Sequence, residues 1–158
     1  MEVIDQTTET TQVMANPDGS FTLTSTREPI RVNQDGNWTP IDTTLASNSD
    51  GTLSPQATIA DLTFSGGGSG PALTIADPDN GNAISFTWPT PLPTPTIDQD
   101  TATYSDVLPG VDLKLTAAAA SYSEVLVVKD ATAAANPALD QLNLQATASG
   151  LTLSRAAD

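Results

Sequence analysis

The chain has 158 residues with no cysteine and no histidine, and its 19 acidic and 5 basic residues give a net charge of −14. Without these two residue types there are no disulfides, no thiolate metal sites and no cysteine nucleophile, and the commonest general base is missing. Five scattered basic residues do not supply the basic face that a nucleic-acid partner needs. No apolar run approaches the ~20 residues of a membrane span. We therefore expect neither nucleic-acid binding nor membrane insertion.

The first ten residues are polar and rich in threonine, which predicts a flexible lead-in over residues 1–10. Strand patterns begin at residue 11, and three Asp-Gly turns follow, at 16–19, 33–36 and 48–51. Each turn separates runs in which apolar and polar residues tend to alternate. Asp-Gly is typical of type I′ hairpins, because glycine adopts positive φ without steric cost. The spacing predicts an antiparallel meander.

Further turn signals continue the pattern towards the end of the chain. The glycine-rich stretch 66–70 is typical of a flexible connector, and Asp77–Asn82 predicts another hairpin. Four prolines within 89–95 predict an extended crossover between two sheets, and a possible boundary within the domain. The apolar run Val125–Val128 predicts a central strand. The chain ends soon after the Ser149-Gly150 turn signal, which favours a segment of a longer protein.

One helix is expected, near residues 131–141, where Asp130 supplies an N-cap and Pro137 limits the length. The sequence thus predicts an all-β fold, an antiparallel β-sandwich or meander that forms a single β-rich domain over residues 11–158. The expected core consists of apolar residues on the inward faces of the strands: Val13, Phe21, Leu23, Ile30, Val32, Trp38, Ile41, Leu62, Phe64, Leu73, Ile75, Ile84, Phe86, Leu113, Leu115, Val125, Val127, Leu142, Leu144, Leu151 and Leu153.

Two strings are more distinctive than any single turn: Gly-Asn-Trp-Thr-Pro-Ile-Asp-Thr-Thr-Leu at 36–45 and Val-Leu-Pro-Gly-Val-Asp-Leu at 107–113. With the segments at 16–24, 29–32 and 124–129, they give a chain that resembles a non-catalytic N-terminal region of large secreted bacterial wall-associated and Rhs (YD-repeat) proteins. Multidomain exoproteins with DNRLRE or LamG-type modules contain a similar region. The resemblance covers roughly residues 12–155. It implies an extracellular or cell-surface location and a structural or presentation role, although no signal peptide is visible.

A weak calcium candidate lies in the turn at 77–82. Asp77, Asp79 and Asn82 offer oxygen ligands around a glycine, as in calcium loops, but the closing bidentate carboxylate at the twelfth position is missing. The alternative is a hairpin tip with solvated carboxylates. Asp98, Asp100, Asp106 and Asp112 form a second set of oxygens, for which loop and strand-end roles are again the alternative. For Asp112 we predict a structural role, in which it accepts backbone N–H groups and fixes a corner.

Trp38 and Trp88 are the candidates for a carbohydrate platform, because indole rings stack on sugars. A core or edge-covering role is the alternative for both. A pair of carboxylates could in principle hydrolyse a glycosidic bond. Lys114 and Lys129 leave open an isopeptide crosslink. The glycine stretch at 66–70 lacks the Lys-Ser/Thr of a phosphate-binding loop.

The function expected from the sequence is that of a non-catalytic structural, scaffold or presentation module in a larger secreted or cell-surface bacterial protein. Its expected partners are flanking domains or another surface protein, with a cell-wall polymer or glycan as a further possibility. A carbohydrate-binding module that uses Trp38 or Trp88 is the alternative, and a hydrolase that relies on carboxylates alone is a third. No cofactor is expected, apart from the Ca²⁺ candidate.

Overall fold

The computed structural model describes residues 1–154, which form fourteen antiparallel β-strands, one α-helix and two 3₁₀ turns. The all-β class and the single short helix are therefore confirmed. No helix in this part of the chain has the length and apolarity to cross a membrane. The elements are β1 (Thr11–Ala15), β2 (Phe21–Ser25), β3 (Arg31–Gln34), β4 (Asn37–Pro40), β5 (Asp42–Ser47), β6 (Leu53–Ala57), β7 (Asp61–Phe64), β8 (Leu73–Ala76), β9 (Ala83–Thr87), β10 (Thr96–Asp98), β11 (Thr101–Leu108), β12 (Val111–Ala117), β13 (Tyr122–Val128), α1 (Ala131–Ala134) and β14 (Gln145–Ser149), with 3₁₀ turns at Ile4–Gln6 and Pro137–Leu139.

Two large sheets form the sandwich. One has six strands in the order β14-β9-β8-β7-β6-β5, and the other has four in the order β10-β11-β12-β13. Their inner faces share one core, in which Phe64 and Leu73 from the first sheet and Tyr104, Val111 and Leu113 from the second are almost completely buried. On β12 the buried side chains recur at every second residue, at Val111, Leu113 and Leu115, as the two-residue period of a strand requires.

The remaining strands, β1 to β4, belong to two separate two-stranded sheets, β1-β2 and β3-β4. The shared core has no member before Leu45 among the described residues. We call residues 1–41 the hairpin unit and residues 42–149 the sandwich. A hydrogen bond from Gln34 Nε2 to the Gln56 carbonyl, at 3.2 Å, joins the two. The change in packing thus falls near residue 41, whereas the proline crossover connects two sheets with a common core.

Residues 1–10 contact strand β1 and are not a free lead-in. Val3 N–H donates to the Val13 carbonyl and Ala15 N–H to the Met1 carbonyl, both at 2.8 Å, so that residues 1–3 form an isolated antiparallel β-bridge beside β1. Thr7 is buried, and its hydroxyl donates to Glu2 Oε1 at 3.1 Å. The polar composition of this segment conceals its role, because its backbone makes these contacts.

The predicted core is confirmed mainly in the sandwich, with Val13 as a buried member in the hairpin unit and Val125 as an exposed member in the sandwich. The buried members are Val13, Leu62, Phe64, Leu73, Leu113 and Leu115. The exposed members, for which the prediction is wrong, are Phe21, Leu23, Ile30, Val125, Leu151 and Leu153. Alternation identifies one apolar face of a strand, but it does not say whether a second layer covers that face.

Strand β13 lies at an edge of the four-stranded sheet, so the prediction of a central strand over Val125–Val128 is wrong. Val125 is 50% exposed and Val128 is 40% exposed. The run is apolar on both faces, although only one face packs towards the core and the other is exposed to solvent. Apolar composition alone does not distinguish these situations.

Only one of the three Asp-Gly turns is type I′. Asp35 and Gly36 both have positive φ, 52° and 84°, and they form the two-residue loop between β3 and β4. In the other two turns only the glycine has positive φ, and Asn16 N–H and Asn48 N–H donate across longer loops to the Ser20 and Thr52 carbonyls. The three turns differ in the residue after glycine, which is serine or threonine in the longer loops and asparagine in the short one.

The glycine-rich segment is a packed junction and not the flexible connector expected from its composition. A Cβ at Gly66 would collide with the Gly51 carbonyl oxygen, and one at Gly67 would lie 3.1 Å from Thr94 N. Gly68 and Leu92 exchange backbone hydrogen bonds of 2.7 and 2.8 Å, which ties the segment to the proline crossover. Close backbone approach explains the glycines at 66 and 67.

The helix begins where the sequence predicts. Asp130 has extended backbone, and its Oδ1 accepts a hydrogen bond from Ala133 N–H at 2.8 Å, as an N-cap should. The α-helix covers only Ala131–Ala134, and Pro137 opens a 3₁₀ turn. Together with Leu139, Leu142 and Leu144, which pack against the core, this segment connects the edge strands β13 and β14.

Candidate functional site

An apolar groove of about 410 Å³ opens at one end of the sandwich. Its floor includes Ile75 and Ile84, which lie directly opposite each other on β8 and β9 and continue the inner face of the sheet. Ile59 and Leu151 form further walls, and the turn 77–82 forms the rim. The groove can accept an apolar side chain beside a polar rim.

The three calcium candidates lie together at this rim. Asp77 Oδ1 accepts a hydrogen bond from Asp79 N–H at 2.9 Å, and Asp77 Oδ2 accepts one from Asn80 Nδ2 at 2.7 Å. Asn80 Oδ1 in turn accepts from Asn82 N–H at 2.8 Å. Across residues 1–154, no group of three or more acidic side chains is arranged to hold a metal ion. Both described hydrogen-bond donors to the Asp77 carboxylate belong to the turn itself.

The two tryptophans lie in different parts of the molecule. Trp88 is 5% exposed and packs in the sandwich core, so its ring faces are covered, whereas a sugar platform requires an open face. It also forms part of a cleft of about 280 Å³ with Asn143 and Gln145. Trp38 is half-buried on β4, opposite Asn33. The two indoles do not form one surface on a common sheet.

A charged cluster fixes the corner between β11, β12 and β13. Asp112 Oδ1 accepts a hydrogen bond from Asp106 N–H at 2.8 Å and lies 2.7 Å from Lys129 Nζ. Lys129 Nζ also contacts Asp106 Oδ1 at 3.1 Å. Asp106 has positive φ and lies where the register of β11 shifts. The predicted structural role of Asp112 is confirmed.

The electrostatics of this cluster favour an ion pair over an isopeptide bond. The side-chain hydrogen bond with Lys129 is the largest cause that lowers the pKa of Asp112, and the bond with Asp112 is the largest cause that raises the pKa of Lys129. Both groups are therefore held in their charged forms. Amide formation requires a neutral amine as nucleophile, and this environment disfavours that form.

Two turns use an identical carboxylate arrangement. Asp18 Oδ1 accepts from Ser20 N–H and Ser20 Oγ at 2.9 and 2.7 Å, and Asp50 Oδ1 accepts from Thr52 N–H and Thr52 Oγ1 at 3.0 and 2.6 Å. The side-chain hydrogen bond is the largest cause that lowers the pKa of each aspartate. These carboxylates hold their turns in shape.

An ion pair joins the first residues to the second hairpin. Glu2 Oε1 lies 2.7 Å from the Arg31 guanidinium, and this hydrogen bond is the largest cause that lowers the pKa of Glu2. Residues 2 and 31 are far apart in sequence and no motif contains them. The sequence carries no local signal for this pair.

The hairpin unit also has two exposed apolar side chains on β2, Phe21 and Leu23, which the strand pattern wrongly assigns to the core. Phe21 lies opposite Ala15 and Leu23 opposite Val13, so all four share one face of β1 and β2. Phe21 is 66% exposed and Leu23 is 65% exposed, and all five residues of β2 are exposed. A sequence signal does exist: residues 19–26 are uncharged in a very acidic chain.

Comparison of the chain with family models, with curated proteins and with solved structures gives no match.

Proposed function

We propose that this chain is a non-catalytic structural module of a larger secreted or cell-surface bacterial protein, in which it holds or presents a neighbouring domain. The observation that carries the proposal is the use of its acidic side chains. Asp18 and Asp50 close turns, Asp130 caps the helix, and Asp112 fixes a corner. Carboxylates that are hydrogen-bonded in this way stabilise the fold in their charged form.

The exposed strand β2 supports a role in presentation. A sheet that is apolar on one side normally buries that side against a second layer. In the sandwich the second layer belongs to the same chain, whereas Phe21 and Leu23 remain exposed. An exposed apolar area of this kind is typical of an interaction surface. The resemblance to wall-associated exoproteins supports the surface location.

Replacement of the carboxylates tests the structural role. Removal of a catalytic acid often leaves stability unchanged or raises it, because active sites are strained, whereas removal of a structural acid lowers it. We expect Asp112→Ala to lower the free energy of unfolding by about 1–2 kcal/mol, measured by urea denaturation. Asp140→Ala, at an exposed position after the second 3₁₀ turn, is the matched control. A stability gain in Asp112→Ala, with loss of turnover of any substrate, would contradict the proposal.

The location can be tested on cells that produce the parent polypeptide. An antibody against this segment should label intact cells or the culture medium. Labelling that requires permeabilised cells would reject the surface assignment.

Carbohydrate binding is the second candidate, and one observation favours it. The cleft beside Trp88 is lined by Thr87, Asn143 and Gln145, whose amides and hydroxyl suit sugar hydroxyl groups. A glycan array probed with the chain should then give signals that Asn143→Ala reduces and Trp38→Phe does not. A blank array would remove this candidate.

A hydrolase that uses carboxylates alone is the third hypothesis. The groove rim contains Asp77 and Asp79, but both oxygens of Asp77 already accept hydrogen bonds within the turn. We expect no turnover of glycosides by the purified chain. Turnover that Asp79→Asn abolishes would establish the hydrolase instead.

A further inference from the structure

We propose that two copies of this chain associate by antiparallel pairing of β2 with β2 of a second copy, with Leu23 on the twofold axis. This association goes beyond the proposed structural role and does not depend on it. The surface consists of the outer edge of β2, from Phe21 to Ser25, and its occupant is the same edge of another molecule.

The outer edge of β2 has free backbone groups. Asn16 N–H donates to the Ser20 carbonyl, so these two residues form a hydrogen-bonded pair of the first hairpin. Hydrogen-bonded pairs alternate along antiparallel strands. The backbone N–H and C=O groups of Thr22 and Thr24 therefore point towards β1. Consistent with this register, Val13 and Ala15 bond on the opposite side, to residues 1–3. The N–H and C=O groups of Phe21, Leu23 and Ser25 therefore point away from the sheet, where no described residue pairs with β2.

The sequence of this edge is self-complementary. Antiparallel pairing about Leu23 places Leu23 opposite Leu23 of the second copy, Thr22 opposite Thr24, and Phe21 opposite Ser25. Residues with outward backbone groups then face one another, so each such pair can exchange two hydrogen bonds. Threonine pairs stabilise neighbouring strands through hydrogen bonds, and the leucine pair removes apolar surface from water.

The edge of β2 lacks charges that would repel a second copy. Residues 19–26 carry no charge, so pairing about Leu23 opposes no two charged residues within β2. In this register Arg27 falls opposite Gly19 and Asp18 falls opposite Glu28, both beyond the ends of β2. The uncharged edge therefore accepts the same edge of another molecule without repulsion inside the paired segment.

The edges of the two large sheets are protected or offer little to bury. On β13, Glu124 lies opposite the buried Leu115 and so places a charge on the inner face. Charges of this kind prevent edge pairing. On β5, Leu45 N–H already donates to the Gln99 carbonyl at 2.8 Å. Strand β10 has only three residues, and β14 carries alanines in place of large apolar side chains.

We expect a weak dimer. One strand edge is smaller than the ~800 Å² per partner of stable complexes. The net charge of −14 on each copy adds long-range repulsion, which salt screens. The dissociation constant should therefore lie near ~0.1–1 mM, and the dimer should be tighter at ~0.5 M than at ~0.01 M salt.

Sedimentation equilibrium of the purified chain tests the association. Leu23→Lys places two ammonium groups at the twofold axis and should raise the dissociation constant at least about tenfold. Leu153→Lys is the matched control, since Leu153 has a similar exposure of 54% and should leave the constant unchanged. Ser25→Pro removes an N–H that β1 does not use, so it should weaken the dimer and leave the hairpin intact.

Disulfide crosslinking tests the register, because the chain has no cysteine of its own. Opposed residues of a hydrogen-bonded antiparallel pair have Cα atoms about 5.5 Å apart, within the range of a disulfide. Leu23→Cys should crosslink to itself on mild oxidation much faster than Leu153→Cys. A mixture of Phe21→Cys and Ser25→Cys should crosslink faster than Phe21→Cys alone.

Three results would overturn the proposal. The first is an unmutated chain that stays monomeric at every protein and salt concentration. The second is equal crosslinking of Leu23→Cys and Leu153→Cys. The third is a dimer that Thr147→Lys on β14 removes while Leu23→Lys does not.

Discussion

The hairpin unit and the sandwich are made from the same kind of strand, yet they bury their apolar residues to very different extents. In the sandwich, Leu113 and Phe64 are fully buried because the two sheets cover each other. In the hairpin unit, Phe21 and Leu23 lie on an equally regular strand and remain exposed. The difference shows that a strand pattern specifies a face, and that the topology decides whether the face is covered.

The same substitution in the two regions should give the largest contrast. Leu113→Ala creates a cavity in the core and should lower the free energy of unfolding by about 2–5 kcal/mol. Leu23→Ala removes an exposed side chain and should change it by less than about 0.5 kcal/mol. Urea denaturation followed by circular dichroism measures both. The measurement is made at low protein concentration, where the chain is monomeric. Equal losses there would mean that the chain itself covers the face of β2, which would contradict the comparison.

Gly66 tests the packing around the turn 48–51, whose counterpart at 16–19 is open to solvent. A Cβ at Gly66 meets the Gly51 carbonyl, so Gly66→Ala should cost about 1–3 kcal/mol. Gly70→Ala is the control, because a Cβ there meets nothing within 4 Å. Differential scanning calorimetry should show a lower Tm for the first variant alone. An unchanged Tm would show that the junction is loose.

The two identical aspartate turns compare the regions directly. Asp50→Ala should lower the Tm of the sandwich at pH 7, by less than Gly66→Ala, and Asp18→Ala should leave it unchanged. Because hydrogen bonds from Thr52 lower the pKa of Asp50 in the folded state, its contribution is complete above the unfolded pKa of about 4. It is lost as the pH falls through the lower folded pKa. The Tm difference between parent and Asp50→Ala should therefore shrink in acid, and a constant difference would argue against this cause.

Glu124 should give the smallest effect, with the opposite sign. Partial burial raises its pKa, so the charged form destabilises the fold. The stabilising contribution of neutral Glu124 is present at low pH and is lost as the pH rises through the pKa of Glu124 in the folded state. Glu124→Gln should thus stabilise the sandwich at pH 7, by no more than about 0.5 kcal/mol, and the gain should vanish near pH 3. A loss of stability at pH 7 would contradict this assignment.

Local chemistry made much of the sandwich predictable from the sequence. Alternation located the strands that carry Leu62 and Leu115, and the cap residue Asp130 located the helix. Asp112 was assigned correctly because a carboxylate inside an apolar run needs hydrogen-bond donors. Each of these inferences depends on a few neighbouring residues.

What the sequence did not reveal depends on contacts between distant residues. Tyr104 is fully buried, and its hydroxyl donates to the Ser65 carbonyl at 2.7 Å, although nothing near Tyr104 in the chain indicates this partner. The edge position of β13 depends on which strands pair, which the apolar run at 125–128 does not encode. The groove beside Ile75 adds Ile59 and Leu151 to the hairpin 75–84, and nothing in the sequence places these two residues beside that hairpin.

The placement of the two tryptophans gives each region its own fluorophore. Trp38 is half-buried in the hairpin unit, and Trp88 is enclosed in the sandwich. In Trp88→Phe the emission comes from the first region alone, and in Trp38→Phe it comes from the second. The wavelength of maximum emission shifts to the red when an indole becomes hydrated, so the two single-tryptophan proteins can follow the melting of each region separately, without any added dye.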